Sequence, residues 1–417
     1  MIRGNRALAA LVTSAVVVTA LTAPAEAERP HHGHGHGHGR GHHDGVRFAT
    51  FNASLNRATE GQLLRDLSTP DDAQARNVAE IVQRARPDVV LLQEFDYSGR
   101  RGPELFQRNY LSRGQRGAPA IRYPYVYTAP VNTGVPSGLD LDNDGKVGGG
   151  NDAYGFGEFP GQYGMVVLSR YPIDTRHVRT FQHFLWQDLP GARLPDDPTT
   201  AAPRDWYSRE ELRTVRLSSK SHWDVPVRVP GHTVHLLASH PTPPVFDGPE
   251  DRNGLRNADE IRFWAEYVSG RKRSAYVYDD RGRRGGLPRG ASFVVAGDQN
   301  SDPLDGDSLP GATDQLLGAR RVNTSVTPSS EGAVEASRLQ GGANLTHRSP
   351  ARFDTADFAE PPGNIRADYV LPSTDLRIRD ARVFWPTTSD PLYRLTGAYP
   401  PPSSDHRLVW VDLSPRR

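Results

Sequence analysis

The sequence predicts an α/β fold, and three observations carry that expectation. Two short apolar runs, 46–52 and 88–94, flank a stretch of helical periodicity, which is the strand–helix–strand order of an α/β unit. Further apolar runs of strand length recur toward the C-terminus between turn-rich segments. Asn, Glu, Asp and His stand at the ends of these runs, where α/β proteins gather their ligands.

The first run, Val46-Arg47-Phe48-Ala49-Thr50-Phe51-Asn52, alternates as a strand does. A helix follows, because Ala75, Val78, Ala79, Val82 and Ala85 fall at helical spacing, Asp71 or Asp72 can cap the start, and Pro87 stops it. Asp88-Val89-Val90-Leu91-Leu92-Gln93-Glu94 reads as a buried strand. More strands are expected at 164–169, 214–218, 233–240, 292–298, 368–371 and 407–413. A second helix is expected at 257–268, with Ile261, Trp264, Ala265 and Val268 on one core-facing side. Segments 97–161, 180–211 and 302–363 are rich in Gly, Pro, Asp and Arg and read as insertions between core strands. With no internal repeat and no interdomain linker, residues 46–417 are expected to form one elaborated domain.

Ahead of that domain, Arg3 and Arg6 precede an apolar stretch, and Ala25-Glu26-Ala27 has the small-x-small pattern of a cleavage site. The expectation is a signal peptide over 1–27 and a secreted, extracellular protein. The apolar stretch is short for a membrane span and no later run approaches one, so no stable membrane insertion is expected. Residues 28–45 hold seven of the 15 histidines, largely alternating with glycine. They read as a disordered linker, with capture of zinc, nickel or copper by imidazole as the sharper alternative.

Composition excludes several chemistries. The chain of 417 residues has no Cys, which rules out a disulfide scaffold, a zinc–thiolate site, a cysteine nucleophile and an iron–sulfur cluster. Any metal must sit on oxygen or imidazole. Loss of the leader would take two of the 50 basic and one of the 49 acidic residues, leaving a neutral mature chain. Proteins that hold long nucleic acids usually carry a marked basic excess, so a small-molecule substrate is favoured over nucleic acid. Gly-x-Ser-x-Gly, His-Glu-x-x-His and the phosphate-binding Gly-x-x-x-x-Gly-Lys-Ser/Thr are all missing.

The polar residues at the ends of the apolar runs are Asn52, Gln93-Glu94, His240, Asp298-Gln299-Asn300, Asp368 and Asp405-His406. Alone, each reads as a loop cap or turn former; together they point to one site. Their order and settings resemble the endonuclease/exonuclease/phosphatase superfamily. The resemblance rests on Thr50-Phe51-Asn52, Leu91-Leu92-Gln93-Glu94, Gly164-Met165-Val166-Val167-Leu168-Ser169-Arg170-Tyr171-Pro172-Ile173 and Ser239-His240-Pro241. It continues through Ala296-Gly297-Asp298-Gln299-Asn300, Ala367-Asp368-Tyr369-Val370 and Ser403-Ser404-Asp405-His406.

What this resemblance implies is a DNase I-like four-layer α-β-β-α sandwich, two mixed β-sheets packed face to face, with a metal site where strand ends of both sheets meet. Glu94 would bind Mg²⁺, with Mn²⁺ or Ca²⁺ as alternatives, and Asn52 and Asp405 would stand beside it as ligands or water holders. His406 would be the general base and Asp368 the carboxylate that fixes its tautomer. Asp298 and Asn300 would orient water or touch the phosphate. His240 would protonate the leaving group or bind a phosphoryl oxygen, as in the DNase I and sphingomyelinase branches. The carboxylate that supports this histidine in DNase I-like enzymes is not evident, since Gln162-Tyr163 stands where it is expected and Glu158 is only close by. Arg170 and Lys220 are further candidates for phosphate contact.

The first insertion contains a second metal signal. Asp140-Leu141-Asp142-Asn143-Asp144-Gly145 reproduces the start of an EF-hand-type loop, but the twelfth position is Asn151 and Asp152 follows one place late. The expectation is a structural Ca²⁺ on Asp140, Asp142, Asp144 and Asp152, with a polar turn as the alternative.

Together these readings give a monomeric, secreted, divalent-metal-dependent phosphoesterase that attacks mono- or diesters directly with water. An extracellular nuclease is the runner-up and a lipid-headgroup enzyme ranks third. From a different class, a non-catalytic metal-binding module on the same fold is the alternative.

Overall fold

The central strands are buried on both faces, and alternate side chains enter different apolar clusters, which explains where the layers form. The computed structural model describes residues 45–397 and 400–415. The expected leader, and all but the last residue of the expected linker, lie outside the described residues. In chain order the elements are β1 (Val46–Leu55), α1 (Gln62–Leu67), α2 (Ala73–Ala85), β2 (Val89–Phe95), α3 (Arg101–Phe106), β3 (Tyr125–Tyr127) and β4 (Met165–Ser169). They continue with β5 (Arg179–Thr180), β6 (Trp223–Val229), β7 (His232–Ala238), α4 (Arg252–Tyr267), α5 (Arg271–Ser274), β8 (Ser292–Asp298), α6 (Asp314–Leu317) and α7 (Glu331–Gln340). The last are β9 (Ala356–Asp357), β10 (Asn364–Ile365), β11 (Asp368–Pro372), β12 (Leu376–Val383) and β13 (Val409–Pro415).

Two mixed sheets result, ordered β12-β13-β1-β2-β4-β3 and β11-β8-β7-β6-β5, beside a small β9–β10 pair. Each large sheet centres on one parallel pair, β1–β2 or β7–β8, flanked by antiparallel neighbours. On β1, Ala49, Phe51, Ala53 and Leu55 face the cluster shared with α2, whereas Phe48 faces the other sheet. On β8, Phe293 and Val295 face the α4 side, whereas Val294 and Ala296 face inward. The molecule is therefore the four-layer α-β-β-α sandwich.

The same period of two places the functional residues. Val294, Ala296 and Asp298 share the inter-sheet row of β8; Val370 and Asp368 share that of β11; Val234, Leu236 and Ala238 lead to His240. On β1, Asn52 follows Phe48 and Thr50 on the inward face, and Gln93 on β2 donates to Thr50 Oγ1 at 2.6 Å. These rows begin as inter-sheet core and end as polar groups at one edge of the sandwich.

Local chemistry sets the element ends. Asp72 caps α2 by accepting from Ala75 N at 2.7 Å, and the helix stops at Arg86, whose φ is 50°. Gly297 has φ 152°, and a Cβ there would lie 1.9 Å from the Ser239 carbonyl, so only glycine lets β8 approach the end of β7.

One expected strand is absent from the structure, and two of the longer observed strands were not expected. Residues 214–218 form no strand: the carbonyls of Arg216 and Leu217 are taken by the Arg256 guanidinium at 2.8 Å each, not by a neighbouring strand. The strand lies later, at β6, where Pro226 and two charges interrupt the apolar run. The edge strand β12 carries Arg377, Arg379, Asp380 and Arg382, so a search for apolar runs passes over it.

Candidate active site

At the C-terminal ends of β1 and β2 the backbone departs from regular strand. In the parallel register Asn52 pairs with Gln93, so regular alternation would aim Glu94 at the opposite face. Glu94 instead has φ 52° and Ser54 has φ 48°, and the pairing shifts register between Asn52 and Leu55. This turn brings Glu94 Oε1 to within 2.9 Å of the Asn52 Nδ2 donor. Asn52 Nδ2 also donates to Asp298 Oδ2 at 3.1 Å, joining the two sheets, and Asn56 Nδ2 donates to Glu94 Oε2 at 2.8 Å. Ser54 Oγ donates to Asp405 Oδ1 at 3.2 Å, and Ser404 Oγ donates to the Asn52 carbonyl at 2.7 Å.

Facing this group, the buried His406 ring is held through Nδ1 by Asp368 Oδ2 at 2.8 Å. Thr355 Oγ1 donates to the same Asp368 oxygen at 2.9 Å. His406 Nε2 lies 3.5 Å from Asp298 Oδ2, and His240 Nε2 lies 3.3 Å from that same atom. Burial opposes protonation of His406, but Asp368 and Asp298 outweigh it and raise its pKa well above the ordinary imidazole value. Burial pushes the Asp298 carboxyl up, yet the two imidazoles and Asn52 hold it below the usual carboxylate range. His240 behaves oppositely to His406: burial and the Lys220 ammonium bring it down to about 4, so its ring is neutral at pH 7. Its Nδ1 is buried without a partner among the described residues, which agrees with the absence of a supporting carboxylate in the sequence.

Asn52, Glu94, His240, Asp298, Asp368, Asp405 and His406 thus meet at one edge. Asn300 sits beside them with φ 50°, its N–H donating to Asp298 Oδ1 at 2.8 Å and its Nδ2 to the Pro241 carbonyl at 3.1 Å. Lys220 is 6% exposed and faces the cavity next to Glu94 and His240; burial pulls its ammonium pKa below the ordinary value against Glu260, Glu94 and Asp298. Arg170 does not join them. It follows Ser169, which pairs with Val89 at the far end of β2 from Glu94, and its guanidinium is bound to Asp88 at 2.8 Å.

Asp140, Asp142 and Asp144 bring carboxylate oxygens within 4.8 Å of one another in the first insertion. Asp152 stands apart from that group: its two oxygens accept from Leu141 N and Gly148 N, both at 2.7 Å, and close the loop.

The sequence reading missed three braces. Thr355 and Asn56 lie in segments without a motif. Glu260 on α4 accepts from Ser219 N at 2.8 Å and Thr242 N at 2.7 Å, tying together the loops that carry Lys220 and His240. A signal for it existed: Asn257, Glu260, Ile261 and Trp264 form one buried helical stripe, and a carboxylate on such a stripe needs a reason.

The donor set fits a hard divalent cation. Burial raises the Glu94 pKa, Asp405 raises it further, and an oxygen-only pair in mutual repulsion is what such a cation relieves. Asp368 Oδ1 is also buried without a partner among the described residues. Positive charge at Glu94 and Asp405 would weaken the carboxylate field on His406 and favour its neutral ring. The edge opens into a cavity of about 500 Å³ lined by Glu94, Lys220 and His240 at one end and largely by apolar and aromatic side chains beyond.

No curated protein matches the sequence. Among solved structures, an endonuclease/exonuclease/phosphatase from Beutenbergia cavernae DSM 12333 is similar at 18% identity and TM-score 0.47, over 89% of this chain and 71% of that one. Sphingomyelinase C from Streptomyces griseocarneus is similar at 16% and 0.45, over 88% and 99%. A magnesium-bound beta toxin variant from Staphylococcus aureus is similar at 14% and 0.43, over 88% and 99%. The model of the Endonuclease/Exonuclease/phosphatase family matches residues 49–406, from the strand of Asn52 to His406 itself, and the chain belongs to that family.

Proposed function

We propose that this protein hydrolyses phosphate esters by direct addition of water to phosphorus, with a divalent cation, Mg²⁺ foremost and Mn²⁺ or Ca²⁺ as substitutes. The observation that carries the reading is the buried Asp368–His406–Asp298 line set against the Asn52–Glu94 pair. Glu94 and Asp405, with Asn52 beside them, would hold the cation. When bound, it supplies charge that offsets the phosphoryl oxygens.

The remaining work belongs to the side chains. With Nδ1 spent on Asp368, His406 has only Nε2 to accept a proton, and Asp298, 3.5 Å from that atom, orients the water that gives it up. The water oxygen bonds to phosphorus, the phosphorus–oxygen bond to the leaving group breaks, and that oxygen takes a proton from solvent, while the neutral His240 ring serves as a hydrogen-bonding group toward a phosphoryl oxygen. Asp368 stabilises the imidazolium left on His406. Lys220 faces the phosphoryl oxygens as a point charge.

Small esters are the favoured substrates, supported by the limited size of the cavity and the neutral mature charge. An extracellular setting rests on the leader-like residues alone. For the Asp140–Asp142–Asp144 loop the proposed occupant is a structural Ca²⁺.

The test is turnover of chromogenic phosphate mono- and diesters before and after EDTA, with each cation restored in turn, beside plasmid DNA across a salt series. Ester turnover that EDTA abolishes and Mg²⁺ restores is expected. Faster cleavage of DNA would move the assignment to a nuclease, and no turnover with any cation would leave a non-catalytic metal-binding module.

A further inference from the structure

Beyond Glu94, Lys220 and His240, the cavity is built by insertions, and its walls are more specialised than a passage for water requires. Tyr154, Phe156, Tyr163, Tyr207 and Phe246 all line it. Phe246 is 85% exposed and Phe156 is 52% exposed, so both present rings to solvent at the rim. Exposed aromatic surface beside an active site is costly to keep without a use.

Phe246 is also strained. Its φ is 69°, a left-handed conformation that a bulky side chain rarely adopts. The start of α4 enforces it: Asn253 Nδ2 donates to the Val245 carbonyl at 2.7 Å, and Asn253 N donates to Asp247 Oδ2 at 2.6 Å. The loop is pinned on both sides of one ring, which fixes that ring at the cavity mouth.

Charge on the walls narrows the occupant. Arg252 is paired with Glu250, and Arg256 is spent on the carbonyls of Tyr154, Arg216 and Leu217. Lys220 belongs to the phosphate end. Arg216 remains: its guanidinium lies 3.8 Å from the centroid of Tyr154, donates to Asn132 Oδ1 at 2.6 Å, and forms no ion pair among the described residues. A guanidinium stacked on one ring offers its other face to a second flat π-system.

We infer that this cavity is a specificity pocket for a planar aromatic ring carried by the phosphate ester, with Phe246 as the rim clamp and the Tyr154–Arg216 stack as a wall. The inference rests on the phosphoesterase reading, because it needs the phosphate at Glu94, Lys220 and His240. A volume of about 500 Å³ accommodates a ring system together with its linker. The ring has two sources, an aryl group directly on phosphorus or the base of a nucleotide.

Non-hydrolysable phosphonates separate binding from leaving-group chemistry, since an aryl ester reacts faster than an alkyl ester in any site. Calorimetric titration of the full chain with Mg²⁺ present would compare phenylphosphonate with methyl- and hexylphosphonate and, each as its non-hydrolysable phosphonate analogue, AMP with ribose 5-phosphate. Phenylphosphonate is expected to bind at least about tenfold tighter than either alkyl compound, and Phe246→Ala, at an exposed position, to erase most of that preference. An equal margin for AMP over ribose 5-phosphate would support the inference with the base as the ring. Hexylphosphonate binding as tightly as phenylphosphonate, with no AMP preference, would overturn it. Hydrolysis of bis(4-nitrophenyl) phosphate in the same preparation separates the two readings. Hydrolysis without any aromatic preference overturns the pocket alone, whereas aromatic binding without hydrolysis keeps the pocket and overturns the hydrolase.

Discussion

Two acidic groups in this molecule use the same side chain to different ends. Asp298 and Asp368 meet His406 from separate strands and a distant loop, all three buried. Asp140, Asp142 and Asp144 lie within five residues, are partly exposed, and bond mainly to the backbone of their own loop. Burying a carboxylate costs several kcal/mol unless charge or hydrogen bonds offset it, so the first group exists only because imidazoles, Asn52 and Thr355 surround it. The second costs little to form. Burial thus makes the first group informative about function and leaves the second a local turn until an ion is seen to fill it. Asp354 marks the contrast from a third side. It is also buried, but its neighbours are Asp302 and Asp305, and burial with their repulsion pushes its carboxyl up to about 9.

The largest expected effect attacks the buried group. His406→Ala should lower kcat for a phosphate diester by about 10³-fold, and Asp368→Asn by about 10²-fold, each with an unchanged circular dichroism spectrum. If Asp142→Ala lowered kcat as much as either, the contrast between the groups would collapse.

The next effect is on stability and has a definite sign. Asp354 keeps its proton in the folded chain up to about pH 9, whereas the unfolded chain loses it near pH 4. Its penalty on folding is absent below the unfolded value, grows as pH rises between the two, and is complete above the folded one. Asp354→Asn should therefore raise Tm at pH 8 by roughly 2–4 °C and leave it unchanged at pH 4. Equal shifts at both pH values would show that the carboxyl does not titrate in this way.

The smallest expected effect belongs to the exposed loop. Adding Ca²⁺ should raise the Tm of the parent chain by about 2 °C, Asp142→Ala should remove that increment, and kcat should stay within about twofold. A calcium-independent Tm would return the loop to a simple polar turn.

Much of the fold was legible because strands buried on both faces read as short apolar runs: 46–52, 88–94, 164–169, 233–240, 292–298, 368–371 and 407–413 each overlap an observed strand. β6 and β12 were not legible, since Pro226 in one and solvated arginines in the other break the apolar pattern while a neighbouring strand still supplies the hydrogen bonds. The second helix begins at Arg252 and not at 257, because Arg252, Asn253, Gly254 and Arg256 give no apolar period. Site residues at strand ends could be read because a carboxylate after an apolar run has little structural purpose. Arg170 misled for the same reason, being also at a strand end but at the wrong one. Chain order does not tell which end of a strand the site occupies. The backbone turn that swings Glu94 toward Asn52 left no trace, since neither Ser54 nor Glu94 is a residue that advertises a left-handed conformation.

β1 is hydrogen-bonded to β2 on one side and to β13 on the other, and Arg47 on β1 clasps Asp412 on β13 through two bonds of 2.6 and 2.7 Å. A ribosome delivers the first of these neighbours early and the second some 320 residues later, since β13 pairs through Leu413. During that interval the nascent strand carries an open edge, and Asn52 waits without Asp405 or His406. A nascent chain that stops before Asp405 has neither a closed sheet nor the complete polar cluster at its edge, because the residues that finish both lie within a dozen positions of one another.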